Sequence, residues 1–343
     1  MGKTVRLADI GAKVGVSTVT VSKALSGQKG VSEELRAKII ALADEMGYQR
    51  EATQNRILGQ NKTFAVLIAE RYMGKYDSFY LKMYQEINKT ATERGSIALL
   101  CSIDEQSERE IVIPAVIMEN QVQGVIVVGR LAQEYLDALS ANINIPKVYV
   151  DFSDEDGKEE SVISDSYYGA YQITKYLLER GHRSIAYVGT LKSTPSITDR
   201  YMGYVRALME YGIIPKKEWQ IDDRDLTTGI VDEDNLICLP EEMPSAFFCN
   251  CDVVASMLIR KLEKQGLSVP SDVSVVGYDN YIYPGLCDLE ITTYEVDLQK
   301  MAQEAYEHLM QKIINPNYSN RLHIVEGRLV EKDSVKSKTL GEK

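Results

Sequence analysis

Apolar residues recur at helical spacing in the first fifty residues and in strand-like runs after them. Leu7, Ile10 and Val14 share one helical face, and Val21 and Leu25 lie four residues apart on another. Between them Gly15 can take the positive φ that ends a helix, Val16 fills the corner, and Ser17 can cap the helix that follows. Ser32 is a second N-cap, with Glu33 and Glu34 where a helix dipole favours acids. Leu35, Ile39, Leu42 and Met46 make the third stripe, which Gly47 ends. Three short helices around one corner are predicted for residues 1–50.

From Thr63 the period changes. Strand-like runs are predicted at 64–69, 97–101, 124–128 and 147–150, with helices over 79–94, 108–121 and 132–141 between them. After residues 161–164 the cycle restarts: helix 168–180, strand 185–188, helix 200–211, strand 218–221. Strand 246–249, helix 253–265 and strand 273–277 complete it, and a long helix is predicted over 298–313. Continuously apolar strands alternating with helices mean parallel sheets covered on both faces. The alternation predicts two doubly wound parallel-sheet subdomains behind an all-α headpiece.

Charge sharpens this division. Residues 1–62 carry ten Lys/Arg and six Asp/Glu, a net of +4, whereas the whole chain is −11. The body is therefore −15. A basic headpiece on an acidic body fits a protein that meets phosphates at one end only. The outward positions of the second helix, Ser17, Thr18, Val19, Ser22 and Lys23, include no acid, and a helix of this kind suits a DNA major groove. An αα-corner in an ordinary helical core would show the same spacing.

The headpiece motif resembles that of the lactose/galactose repressor (LacI/GalR) family. The resemblance rests on Leu7-x-Asp9-Ile10, Gly15-Val16-Ser17, Thr20-Val21-Ser22 and Leu25, then Val31-Ser32 and Gly47-Tyr48, and it continues through the chain. It implies a helix-turn-helix headpiece at 1–50, a hinge at 51–62, and an α/β body like a periplasmic binding protein. The body's N-subdomain would be 63–163 plus 294–323, its C-subdomain 164–293 plus 324–335, and 336–343 a polar tail. Thr18 and Val19 match the family's base-reading positions. In the hinge, Ile57 matches the side chain that family members wedge into the minor groove, beside Arg56. Arg50, Glu51, Gln54 and Asn55 depart from the family's hinge pattern.

The resemblance also implies an effector in the cleft at the strands' C-terminal ends. Asp151, Arg200, Asp252 and Asp279 match contact positions, and Tyr72, Phe79 and Tyr80 could stack on a sugar face. Cys251 stands where the family has Asn. A small polar effector, sugar or sugar derivative, is expected, with a homodimer reading a palindromic double-stranded operator. The tail lacks leucine heptads for a tetramer. The helix near residues 82–94 is not basic enough to favour a phosphoprotein corepressor.

Other classes are disfavoured. No nucleophile-elbow, phosphate-loop or dinucleotide motif is present, so an enzyme is not expected. His182, His308 and His323 are spaced like no metal or triad set, and Cys249-Asn250-Cys251 has no partner pair, so neither metal nor cofactor is expected. Five cysteines in so long a chain read as reduced thiols. No apolar run is long enough for a membrane, and Met1–Arg6 offers no apolar secretion segment, so a cytoplasmic protein is expected.

Overall fold

The structure is a computed structural model, and it describes residues 5–25, 30–46, 62–73, 78–153, 159–226, 228–282 and 286–337. Two compact units are present, one formed by Met1–Asn61 with Arg94–Ser96, the other by the rest of the chain. Gly47, Arg56 and Ile57, with the whole expected hinge up to residue 61, lie outside the described residues.

The headpiece holds α1 (Leu7–Val14), α2 (Thr18–Leu25) and α3 (Glu33–Glu45). Ile10, Val21, Ala24, Leu25, Ile39 and Ala43 form its core. Gly15 closes α1 at φ 76°, and Ser17 caps α2, accepting from the Thr20 N–H at 3.1 Å. Gly11 permits the close crossing: a Cβ there would stand 2.7 Å from the Val16 carbonyl oxygen. Arg36 of α3 donates to the carbonyls of Lys23 and Ala24, satisfying acceptors at the end of α2.

The body's first sheet is parallel. It contains β1 (Thr63–Ala69), β2 (Ile97–Ile103), β3 (Val125–Val128), β4 (Lys147–Val150), β5 (Glu160–Ser164) and, from late in the chain, β11 (Leu322–Val325). Their order is β11-β5-β4-β3-β1-β2. The second sheet, β7-β6-β8-β9, joins β6 (Ile185–Val188), β7 (Gln220–Ile221), β8 (Ala246–Cys249) and β9 (Ser274–Val276), again in parallel. A short antiparallel pair, β10 (Thr293–Glu295) with β12 (Arg328–Val330), lies at the crossings. Val325 pairs with Ser164, so the last crossing follows Val325. The strands are apolar because helices cover both faces. In β1, for example, Phe64, Val66 and Ile68 face one core while Ala65, Leu67 and Ala69 face another.

α4 (Phe79–Glu93), α7 (Gln133–Asn142) and α11 (Leu298–Ile314) accompany the first sheet, and α11 packs on α4 and β4. α8 (Ser166–Glu179), α9 (Pro195–Glu210) and α10 (Asp252–Lys264) accompany the second. α8 and α9 approach closely at Gly203, where a Cβ would stand 2.1 Å from the Tyr167 carbonyl oxygen.

Three expected elements differ. The helix expected over 108–121 is two short helices, α5 (Glu105–Arg109) and α6 (Ala115–Met118). Ile111 takes a left-handed φ of 58°, and Pro114 cannot donate to a continuing helix. α9 starts at Pro195, not at 200, because Thr194 caps it and a proline is tolerated in a first turn. Residues 217–219 form a 3-10 turn, which shortens the expected strand to Gln220–Ile221. Among the described residues no helix is long and apolar enough to cross a membrane.

Candidate functional site

In the headpiece, Ser17, Thr18, Val19 and Lys23 are exposed and Ser22 is half-buried. Val19 is 61% exposed, so its apolar side chain is open to whatever α2 meets. The inner face of α2 is spent on the core through Val21, Ala24 and Leu25. α2 therefore offers hydroxyls, the methyl groups of Thr18 and Val19 and one lysine to whatever it meets. Ser17's hydroxyl is committed to its cap and to the Thr20 hydroxyl at 2.9 Å.

In the body, polar side chains converge from the strand ends of both sheets. Asp151 follows β4 in the left-handed region at φ 68°, and its carboxylate accepts from the Tyr80 hydroxyl at 2.8 Å. The Tyr72 and Tyr80 rings lie 4.7 Å apart, and Phe79 meets Tyr80 edge-on. Gly129 makes room for this pair, since a Cβ there would meet both rings at 3.0 Å.

The second sheet contributes Arg200, only 5% exposed, from α9. It donates to the Asn250 carbonyl at 2.6 Å, sits 3.1 Å from an Asp279 carboxylate oxygen, and lies over the Tyr278 ring at 3.9 Å. Asp279 and Asn280, just after β9, also take positive φ values, 96° and 51°. Left-handed non-glycine residues at the ends of strands of both sheets are strain that a binding site commonly holds. Phe79 and Tyr281, from the two subdomains, approach edge-on at 6.3 Å.

The charges are coupled across this cleft. Burial pushes the Asp151 carboxyl up to about 6, while Arg200 and Tyr80 pull it back and Asp279 adds to the rise. Burial also raises Asp279, opposed by Arg200 and Arg224. Arg200 Nε and the Asp279 oxygen 3.1 Å from the arginine both lack a hydrogen-bond partner. Buried polar atoms are seldom left so, and a ligand's hydroxyls or carbonyls would satisfy them.

Asp252 opens α10. It is 1% exposed, and its carboxylate accepts from the Tyr281 N–H at 3.0 Å beneath the turn that carries Asp279. Its other oxygen packs where a Cβ on Gly277 would fall. Burial, then Asp279, holds its carboxyl well above the ordinary range. It holds the turn that carries Asp279, and its Oδ1, like that of Asp279, makes no hydrogen bond.

A cavity of about 540 Å³ lies between the subdomains, a volume typical of small-ligand sites. Tyr72, Arg71, Glu108 and Arg130 line it from one side, and Ser193 and Ile230 from the other. Arg71 pairs with Glu108 and donates to the Arg130 carbonyl. Of the expected effector residues only Tyr72 lines this cavity. The buried Asp223–Arg224 pair, joined by Asn250, is a further polar group that the sequence reading missed. The adjacent charges in Asp222-Asp223-Arg224, directly after a strand, were its signal.

All five cysteines are free. One expectation is corrected: His308 and His323, read as too distant to share a site, have rings 4.8 Å apart, because α11 and β11 fold back on each other.

Known proteins match in the same two parts. The pattern of the bacterial regulatory proteins of the lacI family matches residues 6–51, and that of the periplasmic binding protein-like domain matches residues 174–335. The chain carries a LacI-family helix-turn-helix domain followed by a periplasmic binding protein-like domain. The transcriptional repressor PurR of Vibrio atlanticus is 27% identical over 332 residues, covering 96% of this chain and 98% of the relative. Among solved structures, the transcriptional regulator CelR in complex with cellobiose superposes with a TM-score of 0.68 at 20% identity, covering 96% of this chain and 99% of that one. The lac repressor dimer bound to operator and the anti-inducer ONPF superposes at 0.64 with 22% identity, covering 97% and 100%. With these two domains the chain is a DNA-binding transcriptional regulator of the LacI/PurR repressor type, with an effector-binding domain after the headpiece in sequence. The family is one of regulators, not enzymes.

Proposed function

We propose that this LacI-family regulator binds a palindromic operator as a homodimer in the cytoplasm, and that a small polar molecule, a sugar or sugar derivative, controls its affinity for DNA. The observation that carries the effector reading is the meeting of Asp151 and Tyr80 with Arg200 and Asp279 across one cleft. Carboxylates and a guanidinium fork suit vicinal hydroxyls, and the Tyr72–Tyr80 and Phe79 rings suit the apolar face of a sugar. The CelR–cellobiose complex, a fold relative, is in keeping with this class. Ser17, Thr18, Val19, Ser22 and Lys23 would face the operator, with Val19 against a thymine methyl and Lys23 on guanine or phosphate. The effector acts only to the extent that it prefers one arrangement of the two subdomains.

The test uses full-length protein in two steps. A thermal-shift panel of sugars, sugar phosphates and nucleobases identifies a binder. Fluorescence anisotropy then measures affinity for palindromic and random duplexes across salt, with and without it. A salt-sensitive preference for one palindrome, altered by the binder, is expected. Equal affinity for all duplexes would refute the regulator; a binder from the nucleobases alone would refute the sugar class.

A further inference from the structure

One cluster in the body belongs to neither the headpiece nor the cleft. Glu304 and His308 lie one turn apart on α11, and His323 faces them from β11. One donor atom from each of the three falls within 4.8 Å of the others. A Glu304 carboxylate oxygen stands 3.3 Å from His323 Nε2 and 3.8 Å from His308 Nε2. A tetrahedral ion with bonds of about 2.0–2.2 Å holds its donors about 3.3–3.6 Å apart. The first separation already meets this, and the second needs a shift of only a few tenths of an ångström by the Glu304 or His308 side chain.

A second observation points to a ligand. His308 is 5% exposed, yet its Nε2 has no hydrogen-bond partner. The remaining ring nitrogens are held from behind. The Tyr318 hydroxyl lies 2.7 Å from His308 Nδ1, and the Asn320 side-chain amide 3.3 Å from His323 Nδ1. Metal-binding imidazoles are usually oriented in this way. Lys300 sits 2.5 Å from the other Glu304 oxygen, so the carboxylate has one oxygen engaged and one turned toward the imidazoles.

We propose that Glu304, His308 and His323 form a binding site for one divalent transition-metal ion, with zinc as the best fit to two imidazoles and one carboxylate, and water completing the tetrahedron. Such donors suit zinc, copper or nickel and disfavour magnesium or calcium, which take oxygen shells. The ion would tie α11 to the edge strand of the first sheet, two residues before that strand ends at Val325.

The experiment takes chelator-stripped full-length protein and titrates it with cobalt(II), read by visible absorption, then displaces the cobalt with zinc. Wild type should bind one equivalent with the intense bands of a tetrahedral nitrogen and oxygen shell, and zinc should raise Tm. His323→Ala, at a half-buried position, should weaken binding at least about tenfold and abolish the zinc-dependent rise in Tm, with circular dichroism unchanged. Glu304→Gln, which keeps the side-chain shape, should weaken binding as well. Retained affinity in both variants would overturn the proposal. So would a sulfur-to-cobalt charge-transfer band in the near ultraviolet, or no binding by the wild type.

Discussion

Arg200 is the strongest test of the cleft, because its partners are explicit and it is nearly inaccessible to water. Arg200→Met keeps the stem length and removes the charge. It deletes the bond to the Asn250 carbonyl at 2.6 Å and leaves the Asp279 carboxylate without its nearest cation. Part of the contact with the Tyr278 ring survives, because sulfur also packs on aromatic faces. Breaking a buried ion pair from one side costs about 3–5 kcal/mol, most of it from the charge left behind. At about 2–4 °C per kcal/mol for a domain of this size, Tm should fall by roughly 10 °C. Asp279→Asn in the same chain removes the stranded charge, so the double variant should recover a substantial share of that loss. The coupling energy should be about 2 kcal/mol, within the range for contacting residues. The pH dependence has a defined sign. Burial already raises the Asp279 pKa, and losing Arg200 raises it further. The folded variant then binds a proton that the unfolded chain releases, so Arg200→Met should be less destabilised at pH 5 than at pH 8. Thermal and urea unfolding followed by circular dichroism measure both effects. Additive single costs with no pH dependence would show that Arg200 and Asp279 are not coupled, and the cleft electrostatics would need to be redrawn.

Two further outcomes follow. Asp151 has a folded pKa of about 6 against an ordinary value near 4, so a ligand that donates to its carboxylate should lose affinity as pH falls through about 6; Asp151→Asn should flatten that profile in calorimetric titrations, and an unchanged profile would remove Asp151 from the site. Gly203→Ala should destabilise by about 1–3 kcal/mol, because the new methyl group would meet the Tyr167 carbonyl at 2.1 Å, whereas an uncrowded helical glycine would gain about 1 kcal/mol from the same change; a raised Tm would refute the close approach of α8 and α9.

What could be read from the sequence follows how local each determinant is. The parallel strands were legible because each is a continuous apolar run, and Lys147–Val150 and Ala246–Cys249 end where the periodicity placed them. The start of α9 was written locally in Thr194-Pro195, a cap followed by a first-turn proline, and weighting apolar spacing above that cue placed the helix start too late. The break within 108–121 had only Pro114 as a local mark, since a left-handed isoleucine at 111 has no compositional signal. The cleft shows the same gradient. Asp279 could be placed just after a strand and Arg200 on a helix, but their contact at 3.1 Å depends on tertiary packing. Asp252 also follows a strand, and the sequence does not show that one of its carboxylate oxygens accepts from the Tyr281 N–H beneath the turn while the other makes no hydrogen bond. The three-residue cluster on α11 and β11 is the extreme case. Glu304 and His308 are legible as one helical face, whereas the approach of His323 depends on residues 315–321 reversing the chain, with Arg321 in the left-handed region at φ 56°. That turn alone separates a scattered pair of histidines from a candidate metal site. A change that straightened it should therefore remove metal binding while leaving every proposed ligand in the chain.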